Sequence, residues 1–99
     1  MKLKDNTEAE FGDIIRWNCW DNDDFVTWNM TGMYTRQGVI YLGGGIDFGL
    51  GIGQILEVEE VIEESENNDP DDCGIVKVGV ATDLVRYINK YEMKKESED

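Results

Sequence analysis

The sequence predicts an α+β domain, mostly antiparallel β with one C-terminal α-helix, built as a small SH3-like barrel or as a twisted sheet of about five strands. Two patterns lead there. Several short runs alternate apolar and polar side chains between turn-forming clusters, and one stripe near the end of the chain repeats at i, i+3, i+4, i+7.

The first strand is Ile14 to Trp20, in which Ile15, Trp17 and Cys19 alternate with Ile14, Arg16 and Asn18. Asp21-Asn22-Asp23-Asp24 is turn chemistry, because short polar side chains bond the backbone just ahead of them. Phe25 to Met30 alternates again, with Val26, Trp28 and Met30 on one face and Phe25, Thr27 and Asn29 on the other, so a hairpin is expected. Thr31-Gly32 is expected to break it. Met33 to Arg36 and Val39 to Leu42, separated by Gln37-Gly38, suggest a second hairpin.

Gln54 to Ile62 carries both periods and is read as a strand that ends in a helical turn. Ile75 to Val80 reads as a strand with Val76, Val78 and Val80 opposite Lys77 and Gly79. Thr82 or Asp83 can cap the helix, whose stripe is Leu84, Tyr87, Ile88 and Tyr91, and Lys94 and Lys95 in its last turn suit the dipole. Residues 1–95 form a single acidic, β-rich domain, and Glu96 to Asp99 a frayed tail.

A chain of 99 residues supports one domain with a modest core. With 40% hydrophobic and 31% charged residues it has the composition of a folded protein. The formal charge of -13 opposes binding to bare nucleic acid or to an anionic membrane, and directs long-range attraction toward a basic partner protein. Met1 to Glu10 has no apolar leader pattern, which makes the cytoplasm the expected compartment and a Cys19–Cys73 bridge the less favoured state. No apolar run approaches the ~20 residues that span a membrane.

Residues 43 to 53, GGGIDFGLGIG, lack the spacing and the lysine of a phosphate-binding loop. As a strand, the segment sets Ile46, Phe48, Leu50 and Ile52 against a nearly bare glycine face, which favours an aromatic ring packed over it. There is no histidine, and Ser65 and Ser97 have no evident activating base. Cys19 and Cys73 form no CxxC pair, so no enzymatic activity and no cofactor are expected. Asp69-x-Asp71-x-Cys73-Gly74 begins like a calcium loop but has Val80 where the bidentate glutamate belongs, and no metal site is assigned.

The acid is concentrated. From Asp5 to Val76 only Arg16 and Arg36 are basic, against 17 acidic residues. Nine of these carboxylates form one tract, Glu57, Glu59, Glu60, Glu63, Glu64, Glu66, Asp69, Asp71 and Asp72, read as a strand edge running into an acidic loop. Asp21, Asp23 and Asp24 form a second cluster beside Trp20, a candidate interface anchor. Such an array can present phosphate-like charge to a basic groove.

In overall character the chain resembles the small acidic inhibitors of phages and mobile elements, the DNA-mimic anti-restriction proteins and many anti-CRISPR proteins. That resemblance is one of composition, covers no motif, and carries no residue assignments. It implies a non-enzymatic phage inhibitor, monomer or homodimer, that fills the nucleic-acid site of a basic enzyme in the host cytoplasm. The alternative is a small SH3-like protein-protein interaction module that binds through its aromatic and glycine surface.

Overall fold

The structure is a computed structural model that describes residues 1–44 and 51–81. Strands β1 (Asp13–Asp21), β2 (Val26–Thr35), β3 (Gly38–Gly43) and β4 (Ile55–Leu56) are followed by helix α1 (Val58–Glu66) and strand β5 (Ile75–Val80). They form one antiparallel sheet in the order β4-β3-β2-β1-β5. The sheet is open and does not close into a barrel, so the twisted-sheet form of the expected fold is the one adopted. β1 to β4 make a meander that runs outward from β1 to one edge. The α1 connection then crosses the sheet and delivers β5 to the other edge.

Alternation along β1 sorts the core. Ile15, Trp17 and Cys19 join Met30, Val39, Tyr41, Leu56 and Ile75 beneath Val61 of α1. On the opposite face Met33, Ile40 and Ala81 cluster with Phe11, Ile14, Leu42 and Ile55. The polar N-terminal segment also contributes, because Leu3 and Ala9 are buried against the helix-covered face. It is held there by a bond from the Lys4 N–H to the Ile75 carbonyl (2.7 Å).

Two expectations change. The break at Thr31-Gly32 does not occur, because β2 continues through both residues to Thr35. A Cβ at Gly32 would collide with Val39 Cγ1 and lie 3.2 Å from Trp17 Cζ3, so glycine here lets the strand pass under a tryptophan ring instead of ending it. The 54–62 segment is strand only at Ile55–Leu56 and helix from Val58, since Val58, Val61, Ile62 and Ser65 share one side of a helix. The strand expected over Ile75 to Val80 is present as β5; Val76, Val78 and Val80 are all exposed, and a register shift opposite Ile14 and Ile15 leaves Val78 between paired residues. Ile75 carries the apolar burial of β5 instead.

The expected C-terminal helix, with Leu84, Tyr87, Ile88 and Tyr91, and the 96–99 tail lie outside the described residues, as does most of the glycine segment. Its end, residues 51–54, is a turn that pairs with β3 through bonds from Gly53 N–H to Tyr41 O (2.7 Å) and from Tyr41 N–H to Gln54 O (2.8 Å). Among the described residues no helix is long and apolar enough to cross a membrane.

Gly32→Ala is expected to lower Tm, because Val39 is fully buried and overpacking of this kind costs about 1–3 kcal/mol, or roughly 4–8 °C per kcal/mol in a domain of this size. Gly51→Ala, where an added Cβ meets nothing within 4 Å, is the control and should leave Tm nearly unchanged in the same melt.

Candidate partner-binding site

Helix α1 separates its residues by chemistry. Val58, Val61, Ile62 and Ser65 face the sheet, while Glu59, Glu60, Glu63 and Glu66 are exposed. At 100° per residue those four carboxylates fall within an arc of about 120°. At 1.5 Å rise they span about 10.5 Å of axis, one charge per roughly 3.5 Å. None of the four forms an ion pair among the described residues, where the pairs are Lys77 with Asp13 and the N-terminus with Glu8. Glu57 is the exposed, extended N-cap residue and makes no side-chain capping bond.

This surface is electrostatically costly to its own helix. Glu59 and Glu60 suit the positive N-terminal end of the dipole, but the last turn has no basic residue. The Glu59/Glu63, Glu60/Glu63 and Glu63/Glu66 spacings set like charges side by side, each destabilising by about 0.2–0.5 kcal/mol.

Glu64 behaves differently from its neighbours. It is half-buried and accepts the Trp17 indole N–H at 2.9 Å, tying the helix to the middle of β1. Burial pushes its pKa up, the Trp17 bond opposes that shift, and the charge of Glu60 adds to it. Its role is therefore internal.

The helix leads into a turn at 67–74 that is fastened to β1. The Asn68 side chain donates to the carbonyls of Asn18 (2.8 Å) and Glu64 (2.9 Å), and the Asn18 side chain donates to the Asp72 carbonyl (3.3 Å). These bonds set Asp69 and Asp72 beside Trp20, where they line a shared cavity with Thr27, Asn67 and Asn68. The two acidic segments of the sequence are thus joined at one end of the fold. Asp69, Asp71 and Asp72 are all exposed. Among the described residues no three cysteine, aspartate or glutamate side chains are grouped to hold a metal ion.

At the tip of the β1–β2 hairpin, Asp21 holds the turn. One of its oxygens accepts the backbone N–H groups of Asp23 (2.9 Å) and Asp24 (3.3 Å), and the other accepts the Trp28 indole at 3.2 Å. The Trp28 bond and then the Asp23 bond draw its pKa down. Asp23 and Asp24 are exposed, and Trp20 is 37% exposed with its indole N–H bonded to Asn22 Oδ1 at 2.6 Å.

Sequence reasoning did not include Phe25, the most exposed large apolar side chain here at 76%, whose φ of 54° is a left-handed conformation costing a bulky residue about 1–2 kcal/mol. Its place in the alternation with Thr27 and Asn29 was the available signal. The two cysteines are free. The Cys19 thiol is pushed up to about 11 by burial and by the charges of Glu64 and Asp21, which makes it a poor nucleophile.

The opposite shifts of Glu64 and Asp21 set a pH profile. Glu64 binds its proton more tightly when folded, so its destabilising charge is relieved as pH falls through its raised pKa, fully so below the ordinary 4.5. Asp21 contributes stability above its ordinary 3.8 and loses it as pH falls through its lowered pKa. Tm should accordingly rise on acidification from pH 7 to about 4.5 and fall as the pH drops below 3.8. Glu64→Gln, which keeps an oxygen for Trp17, should raise Tm at pH 7 by a few degrees and flatten the upper part of the profile; a lower Tm would contradict the assignment.

In comparisons with known proteins, no family model, no curated protein and no solved structure matches this chain.

Proposed function

We propose that the protein is a non-enzymatic inhibitor whose acidic end occupies the nucleic-acid-binding site of a basic target protein, in the manner of the DNA-mimic inhibitors of phages. The observation that carries this is the exposed face of α1. Its four carboxylates have no basic partner among the described residues and average one per about 3.5 Å of axis, in unequal steps, against 3.4 Å per phosphate along one strand of duplex DNA. A helix supplies this spacing in place of the strand edge expected from the sequence.

The cost of the array supports the same reading. Solubility needs net charge, but not like charges stacked at i, i+3 and i+4 on a nine-residue helix with no basic residue in its last turn. A basic groove would relieve that repulsion on binding. The turn at 67–74 and the hairpin tip extend the charged face with Asp69, Asp71, Asp72, Asp23 and Asp24, and Trp20 and Phe25 add aromatic contact area to it.

The test replaces Glu59, Glu60, Glu63 and Glu66 with glutamine together and leaves the Glu64 tie to Trp17 intact. The wild-type protein should retain nucleic-acid-binding proteins from host lysate at about 50 mM salt, release them at higher salt, and lose them to competing DNA or RNA. The quadruple variant should fold at least as stably and retain at most about a tenth as much. Unchanged retention by the variant, or partners that nucleic acid does not displace, would sink the proposal.

A further inference from the structure

A cavity of about 250 Å³ lies between the β1–β2 hairpin and the 67–74 turn, lined by Trp20, Thr27, Asn67, Asn68, Asp69 and Asp72. Its walls are held in place. The Trp20 indole is bonded to Asn22, Asn68 is tied to the backbone of β1 and of α1, and the Asp72 N–H bonds the Asp69 carbonyl at 2.8 Å. Among the described residues no basic side chain lines it, and neither the Asp69 nor the Asp72 carboxylate forms an ion pair.

An indole and two carboxylates around one recess suit a particular cation. A hard metal ion takes six or more oxygens, and no such set converges here. An ammonium group gains from the carboxylates alone. A guanidinium is planar, presents five donors in a fixed fork, stacks on an aromatic ring and sheds water more readily than an ammonium. Thr27 and the amides of Asn67 and Asn68 add polar groups around its rim.

We propose that this cavity receives an arginine side chain of the partner protein, with its guanidinium against Trp20 and its N–H groups shared by Asp69 and Asp72. The proposal rests on the acidic end being the partner-facing surface and adds a residue-level preference to it: the helix attracts any dense positive charge, while the cavity selects arginine over lysine.

The test uses the ¹⁵N-labelled full chain with two capped peptides of equal charge, hexa-arginine and hexa-lysine, at one ionic strength. Trp20→Phe identifies the Trp20 indole signal by its loss. Hexa-arginine should shift both the Trp20 indole and the amides of residues 59–66, and should bind about fivefold more tightly than hexa-lysine. Asp69→Asn with Asp72→Asn, both on exposed side chains, should erase that preference without lowering Tm. If the two peptides bind alike and only the helix amides move, the arginine site is overturned and the acidic-surface reading stands. If neither set of signals moves, both are overturned.

Discussion

Trp17 is the side chain on which the arrangement depends. It is almost fully buried on the central part of β1, passes over Gly32 of β2, and gives its indole N–H to Glu64 of α1. One residue therefore links the two central strands to the only described helix. That contact, the burial of Val61 and the Asn68 bonds hold α1 in place, since a nine-residue helix is marginal in water and this one carries repelling charges. Packing against the sheet compensates for what the helix lacks in intrinsic stability.

The consequence is a division of labour among carboxylates that look alike in the sequence. Glu64 and Asp21 turn inward, toward Trp17 and Trp28, and shape the helix and the hairpin. Glu59, Glu60, Glu63 and Glu66 face solvent from α1, and Asp69 and Asp72 border the cavity beside Trp20. The inward pair fixes where the outward set stands. Rigid presentation matters to a decoy, because a disordered acidic tail would lose ordering entropy on binding that a fixed array has already lost on folding.

Much of the sheet was legible from alternation alone. Ile15, Trp17 and Cys19 share the helix-covered face, and the Asp21–Asp24 cluster does turn the chain between β1 and β2. What misled was local grammar outweighed by tertiary contact. Gly32 looked like a break, but the ring of Trp17 needs a residue with no side chain beneath it. Val58 to Ile62 fits both periods, and the choice was made by the face offered by β1 and β3. In β5 the shared face of Val76, Val78 and Val80 left burial open, because alternation cannot tell an edge strand with a register shift from a central one. At the acidic end, the sequence revealed the charge but not its sorting. Nothing in a run of glutamates marks Glu64 as the one that meets an indole, and the meeting of Trp20 with Asp69 and Asp72 depends on bonds spanning some fifty residues.

The central claim is that the outward carboxylates, which have no basic partner among the described residues, form an array held against its own repulsion, and the salt dependence of thermal stability tests it most directly. Melting the wild-type protein in about 20 mM and then about 500 mM sodium chloride compares the same fold with its surface charges exposed and screened. Tm should rise by several degrees with salt, as repulsion along α1 and the acidic end is suppressed. A Tm that stays level or falls would mean that the charges are already compensated within the fold, and the outward face would then have no need of a basic partner.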